Sequence, residues 1–469
     1  MPELPGLSAL LVQGGDERIA LQGERGQNKY GVSPAPRAGL VEFSSSTASH
    51  ISAEAWAAVD AFRQRMHGEC SDDPDHQPAL WQREAQRIRT SFCTTWGLDA
   101  ARLSWHLHRS GTDAHAMASA LSLRKFGRPF RIVMGEASET GSKVAQALLE
   151  GSRQQGKLMA ELTEIAIRGA DGACRSAQAI DQDFLRVVRQ SLAEDVPVMV
   201  VRVDESKSGC CYPGQALVQQ IAAISPQHTS VLVDCSQLRC EAQVLQDYLA
   251  RHYLVVLTGS KFYGAPAFCG ALLGGADWAA VWPQDAPDVD AQGQPNFGVL
   301  ARWEAALYAM QRYQRLPAEV RREWLACFED ALTQRVAASP SLGLLDVLRD
   351  GRGEPRSLFA LRCRDRRGQR SLSRAEVETV YRHLNQMQPQ QAQEHVYAIG
   401  QPVPCMGADG QRSQYLRVSL SAPMLLMLAQ MPQEQGRAWL RARIDGVVGA
   451  LEEEIGRLDQ HDSSAATGD

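Results

Sequence analysis

The sequence predicts an α/β protein: a mostly parallel sheet with helices on both faces, followed by a small C-terminal α+β domain. Three observations carry that expectation. Short β-branched apolar runs at 196–203, 231–235 and 254–258 are bounded by turn signals, the pattern of strands buried on both faces. Stretches with helical periodicity separate them, as in β-α-β units joined by right-handed crossovers. The runs end in polar residues, Asp204-Glu205-Ser206-Lys207, Asp234-Cys235-Ser236-Gln237 and Thr258-Gly259-Ser260-Lys261. In open α/β sheets ligands bind at the carboxyl ends of the strands.

Size and composition narrow the function classes. The chain has 469 residues, enough for a large core and more than one domain. A hydrophobic content of 44%, a charged content of 22% and a net charge of -5 are those of an ordinary soluble protein. With a pI of about 6.2 and no Lys/Arg run, no nucleic-acid partner is expected. No apolar run approaches the roughly 20 residues of a membrane span. Met1 to Gly15 lacks the basic and apolar regions of a signal peptide, so a cytoplasmic protein without a membrane partner is expected. The 11 cysteines lack metal-site spacing, so reduced thiols and no metal are expected.

Taken in order, residues 1–40 form a Gly- and Pro-rich arm with the option of packing on the small domain. The hydroxyl-rich stretch from Phe43 to Ser49 leads into a helix at about 53–66. Its hydroxyls read first as caps, with pocket lining as the alternative. His50 is likewise a cap neighbour or a residue of the substrate pocket. A charged helix at about 78–92 precedes an alternating strand at 103–108. That strand runs into Ser110-Gly111-Thr112-Asp113 and a helix through about 126. Backbone amides and a hydroxyl at a positive helix terminus make an anion cup suited to a phosphate. A strand at 130–134 leads into a loop, Gly135 to Ser142, that lies over a bound ring or in solvent. Helices at about 181–193 and 214–224 follow, and 264–275 reads as a strand turning back beside Lys261. A Pro/Gly/Asp-rich loop at 283–298 ends in Asn296-Phe297-Gly298. Helices at about 299–314 and 318–336 meet at Pro317, which places the large domain at 41–315 and the small one at 316–460. The small domain should hold strands at 356–363 and 414–421, a helix at 374–386, a loop at 400–413 and a final helix at 433–458. A polar tail, 461–469, reads as disordered.

Asp234 and Lys261 each follow a buried strand and should reach one crevice. That pairing is the pattern of a pyridoxal 5'-phosphate (PLP) site, in which the lysine forms a Schiff base and the aspartate pairs with the pyridinium nitrogen. Lys261 is the expected attachment point, because no other lysine follows a buried strand beside the Asp-bearing one.

The chain resembles the fold-type I PLP-dependent enzymes, and within them the class V aminotransferase and cysteine desulfurase group. The resemblance is carried by Ser110-Gly111-Thr112-Asp113, Asp234-x-x-Gln237, Thr258-Gly259-Ser260-Lys261-Phe262-Tyr263-Gly264 and Tyr415-Leu416-Arg417-Val418-Ser419, in the family's order over about 40 to 425. It implies a homodimer with active sites at the interface. It makes Lys261 the Schiff-base lysine and proton carrier, Asp234 the partner of the ring nitrogen, and Gln237 the partner of the ring's phenolic oxygen. Ser110, Gly111, Thr112, Thr258 and Ser260 would hold the phosphate, Arg417 would clamp the substrate carboxylate, and Asn296 would reach the neighbouring subunit's phosphate. The sequence also departs from the desulfurase pattern. Ser260 stands where desulfurases commonly carry a histidine, and Gly135 to Thr140 offers no histidine or aromatic to stack on the ring, only Ser138. Cys405 sits where a desulfurase carries its sulfur-accepting cysteine. The expected function is a PLP-dependent aminotransferase acting on an α-amino acid or related amine through an external aldimine. A carbon–sulfur lyase or cysteine desulfurase is the alternative, and a non-catalytic PLP-fold protein the second alternative.

Overall fold

A computed structural model describes residues 4–23, 26–69, 76–283, 294–386, 395–406 and 412–465. The chain opens with α1 (Leu7–Val12), β1 (Leu40–Phe43), α2 (Ala53–Glu69) and α3 (His76–Trp96). Strand β2 (Leu103–His108) and α4 (Gly111–Phe126) follow, then β3 (Phe130–Gly135), α5 (Val144–Gly151), a hairpin of β4 (Arg153–Gln154) and β5 (Lys157–Leu158), and β6 (Ala160–Ile165). Next come α6 (Ala177–Ala193), β7 (Val198–Val203), α7 (Gln215–Ile224), β8 (Thr229–Cys235), α8 (Ala242–Ala250), β9 (Leu254–Thr258) and β10 (Gly270–Gly275). Two long helices, α9 (Phe297–Arg315) and α10 (Ala318–Ala337), lead to β11 (Leu342–Leu344), β12 (Leu358–Cys363), α11 (Arg374–Gln386), β13 (Val396–Met406), β14 (Arg412–Ser419), α12 (Ala422–Ala429) and α13 (Gln433–Ala465).

The large sheet has the order β2-β10-β9-β8-β7-β3-β6. Only β10 runs against its neighbours; the other strands are parallel. Strands β7, β8 and β9 are buried along their whole length, which is why they read as unbroken apolar runs. Their side chains alternate between two cores. Met199, Val201, Leu232 and Val256 pack with Ala118, Leu121 and Leu148 on one face. Val231, Val233, Val255 and Leu257 pack with Trp96, Leu245 and Trp303 on the other.

A second sheet has the order β1-β13-β14-β12-β11. Strand β1 pairs in parallel with β13, so residues 40–43 join the C-terminal sheet rather than the large one. Several expectations are corrected here. The loop expected at 400–413 is a strand through Met406, in which Cys405 faces Ser413 of β14; the remaining loop, 407–411, lies outside the described residues. The expected disordered tail is helix through Ala465. The N-terminal arm packs on α9, where Arg302 Nη1 donates to the carbonyls of Leu11 (3.1 Å) and Gln13 (2.9 Å). Most of the loop expected at 283–298, residues 284–293, lies outside the described residues. Among the described residues no helix is long and apolar enough to cross a membrane.

Candidate active site

A cleft of about 350 Å³ opens at the carboxyl ends of the parallel strands. Asp234 projects from the end of β8 and is buried; Lys261 follows the adjacent strand, β9. The lysine loop is closed by a turn in which the Gly264 amide donates to the Lys261 carbonyl at 3.0 Å. Gly264 has φ +66, and a Cβ there would lie 3.0 Å from Pro423 Cγ, so both conformation and space favour glycine. Beneath the loop, Phe262, Tyr263 and Tyr313 stack edge to face with centroids 5.1 to 5.8 Å apart, a rigid base for the lysine.

The charges are set by their surroundings. Burial alone would raise the Asp234 carboxyl. His115, Lys261 and the Ser236 side chain outweigh it and hold Asp234 well below the usual carboxylate range. His115 Nε2 lies 3.3 Å from Asp234 Oδ2, and the Ser236 amide donates to Oδ1 at 2.9 Å. Burial pushes the Lys261 amine down to about 8, with Arg417 and Arg239 adding repulsion and Asp234 opposing.

Across the cleft, the Ser110 hydroxyl caps α4, accepting from the Asp113 amide at 3.3 Å and donating to Asp113 Oδ2 at 2.9 Å. Gly111 and Thr112 continue this wall beside Thr258 and Ser260. A Cβ at Gly270 would sit 2.4 Å from the Ser110 carbonyl carbon, so glycine lets β10 run against the cup.

Arg417 projects from β14 into the same cleft and is buried. Its Nε donates to the Gln401 carbonyl (3.0 Å), Nη1 to the Ser46 carbonyl (3.1 Å) and Nη2 to Thr47 Oγ1 (2.5 Å). Among the described residues no carboxylate lies within ion-pair distance of it. Gln237, also buried on the wall, donates to the Ser46 carbonyl and accepts from Arg239 Nε, both at 3.3 Å. Ser46 and Thr47 therefore line the cleft, the alternative weighed for the hydroxyl-rich stretch, while Ser52 accepts from the Ala55 amide at the start of α2.

The loops after β3 and β7 complete the wall. Glu139 is buried; its Oε1 accepts from Arg168 Nε at 2.7 Å and its Oε2 from the Ser206 and Ser208 hydroxyls at 2.6 Å each. Lys207, between those serines, also lines the cleft. It follows β7, which pairs directly with β8, so the premise that Lys261 alone follows a strand beside Asp234 does not hold. Ser138 is exposed and off the cleft; Thr140 is the buried hydroxyl on that wall.

Three expected site residues are not on the cleft wall. His50 is buried beside β1, where Nδ1 lies 2.8 Å from Glu42 Oε1, and it faces neighbouring hollows. Asn296 is fully buried as the cap of α9, with Oδ1 accepting from the Val299 amide at 3.2 Å. Cys405 is held in β13, and burial pushes its thiol up to about 11.

No protein-family model and no curated protein matches the sequence. Solved structures do. The chain is similar to the cysteine desulfurase CsdA from Escherichia coli at 15% identity, covering 89% of this chain and 96% of that one, with a TM-score of 0.55. It is similar to the cystine C–S lyase C-DES at 14% identity, covering 87% and 98%, with a TM-score of 0.56. It is also similar to Oryza sativa TDC, solved with PLP, at 14% identity, covering 92% and 85%, with a TM-score of 0.57. The chain has the fold of the fold-type I PLP-dependent enzymes.

Within this fold-type I frame, sequence reading had assigned no role to His115, Arg239, Glu205 or Lys207. His115 carried a usable signal: it lies one helical turn beyond Gly111, on the face that returns to the sheet. Lys207 carried one too, since it follows a wholly apolar strand. Arg239 carried none, because its stacking on Phe262 (5.2 Å) arises only from tertiary packing.

Proposed function

We propose that this chain is a PLP-dependent enzyme acting on an α-amino acid, with transamination as its reaction. The observation that carries this reading is the convergence of Asp234, Lys261 and Arg417, on two strand ends and the facing sheet, in one cleft. The donor set fits PLP. The amides at the start of α4, with Thr258 and Ser260, suit a phosphate. Asp234, a buried anion, suits a protonated ring nitrogen, and the depressed amine of Lys261 suits an aldehyde carbon. Gln237 keeps one N–H for the ring oxygen. Bound there, PLP supplies an electron sink for the charge that develops at the substrate's α-carbon.

The chain's own residues do the rest. Asp234 holds a proton on the ring nitrogen, and His115 keeps Asp234 ionised and oriented. Lys261, with a value of about 8, is a base matched to moving a proton at the α-carbon near neutral pH. Arg417 is a buried, uncompensated guanidinium, a costly arrangement that a substrate carboxylate would relieve. The same clamp argues against decarboxylation, because Arg417 would hold the carboxylate in its charged, retained form. Transamination demands nothing further of the wall.

The sulfur-carrier variant needs a thiolate. Cys405 is off the wall, and burial pushes Cys269, which lines it, up to about 12. A carbon–sulfur lyase without a carrier thiol is the second reading, favoured by Glu205. Burial pushes that carboxyl up to about 7, which makes it an acid able to protonate a leaving group. A cytoplasmic homodimer completes the proposal.

The test is an amino-acid panel on the PLP-loaded protein with separate assays for keto acid, sulfide and CO₂. Keto acid formed with an amine acceptor supports transamination. Sulfide without it promotes the lyase, and CO₂ removes the role given to Arg417. Cys405→Ser should leave turnover within a few-fold.

A further inference from the structure

We propose that Lys207 is a second anion anchor in the Lys261 cleft, and that the substrate is an α-amino acid whose side chain carries a second negative charge, such as a carboxylate. This rests on the reading of the cleft given above and narrows it to a substrate class.

The argument is an inventory of charge on one wall. The acidic residues lining the cleft are Glu139, Glu205 and Asp234. Asp234 is taken by His115 and the Ser236 amide. Both oxygens of Glu139 are taken, one by Arg168 and the other by Ser206 and Ser208, so its charge only partly offsets the lysine between those serines and it is not at ion-pair distance from that lysine. Burial pushes the Glu205 carboxyl up to about 7, so near neutral pH it carries only part of a charge. Among the basic residues, Arg18 has Asp16 at 2.7 Å and Lys143 has Glu17 at 3.9 Å. Lys207, Lys261 and Arg417 are left without a carboxylate at ion-pair distance among the described residues. Lys261 is allotted to the cofactor and Arg417 to the α-carboxylate. Lys207 has no assignment.

Its position suits a distal anion. The Lys207 amide donates to the Glu139 carbonyl at 3.0 Å, and the Ser206 amide to the Cys210 carbonyl at 2.8 Å, so the backbone carrying the side chain is fixed. Lys207 lines the same cleft as Arg417 and Lys261, and burial, then Arg417, then Lys261 push its amine down to about 8, with Glu139 and Asp234 opposing. The phosphate cup at the start of α4 is built from a different wall. With Lys261 allotted to the cofactor, Lys207 and Arg417 are like charges in a partly dry cleft, and a doubly charged anion spanning them relieves their repulsion. A neutral Glu205 carboxyl on the same wall can donate to such an anion.

The test uses the PLP-loaded protein, with succinate and glutarate as unreactive dicarboxylate probes and butyrate as the monocarboxylate control, read by calorimetry. The better dicarboxylate should bind at least about tenfold tighter than butyrate, the lower end for one charge-assisted hydrogen bond. Lys207→Gln should erase that preference and leave butyrate binding unchanged, while Lys207→Arg keeps it; thermal melts show that both variants are folded. Arg417→Gln should weaken both probes. Equal binding of both classes by the parent, or a preference that survives Lys207→Gln, overturns the proposal while PLP uptake leaves the reading of the cleft standing. A Lys207→Gln protein that loses PLP affinity instead places Lys207 on the cofactor phosphate and also overturns it. A parent that never takes up PLP overturns both.

Discussion

His115 and Asp234 face each other at 3.3 Å, and the other ring nitrogen of His115 lies 2.7 Å from the Gly111 carbonyl. The Nδ1 contact to the Gly111 carbonyl fixes the ring in orientation and turns Nε2 toward the Asp234 carboxylate. The contact links the start of α4 to the carboxyl end of β8. It positions the Asp234 carboxylate from the cleft wall that both residues line.

His115→Gln should therefore leave PLP bound through the phosphate cup and lower turnover by about tenfold, the order expected when a contact of about 1.4 kcal/mol to the Asp234 carboxylate is lost. A positioning role also predicts a shifted absorbance band and pH profile, since the ring nitrogen's proton is held less well. An unchanged spectrum and pH profile would reduce His115 to a packing residue.

Asp234→Asn should lose more. The amide keeps the shape and removes the charge, so turnover should fall by well over the factor of ten that roughly 1.4 kcal/mol represents. PLP should still co-purify. Near-parental turnover would remove Asp234 from the ring nitrogen.

Arg417→Lys keeps a charge and loses the planar fork. KM for an amino acid should rise by about tenfold or more, matching the ~1.5–3 kcal/mol of a charge-assisted bond. An amine lacking the carboxylate should be barely affected. Equal effects on both would take Arg417 out of the substrate site.

The depressed value of Lys261 makes a stability prediction for the cofactor-free protein. Below pH 8 the lysine is charged in both states, and the folded state bears the cost. Between about 8 and the ordinary lysine value of 10.5 the unfolded chain binds the extra proton, so stability rises with pH across that window. Lys261→Met should melt higher than the parent at pH 7, and the gap should close by pH 10. A gap that does not change between those pH values would mean that the amine is not desolvated.

Much of this was legible in the sequence where burial is uniform. Strands β7, β8 and β9 are wrapped on both faces, so their runs and polar ends stood out, and Asp234, Gln237, Lys261, Ser110, Gly111, Thr112 and Arg417 do meet in one cleft. Legibility failed where a local signal competes with tertiary context. Strand β13 contains Gly400, Pro402 and Pro404, residues that punctuate loops; it accommodates them through a register shift between Gly400 and Val403. Strand β6 is the sheet's edge, and its exposed glutamates hide it. Lys207 stood at the polar end of an apolar strand, but its role was not legible, because nothing local reveals that Arg417, more than two hundred residues later, returns to the same cleft.

That second lysine makes cofactor attachment the most direct measurement. The protein loaded with PLP is reduced with borohydride, digested and mapped by mass spectrometry, alongside Lys261→Ala and Lys207→Ala. The pyridoxyl mass should fall on the peptide containing Lys261, persist in Lys207→Ala and vanish in Lys261→Ala. Label on Lys207, or equal labelling of the Lys261→Ala protein, would contradict the assignment on which the site is built.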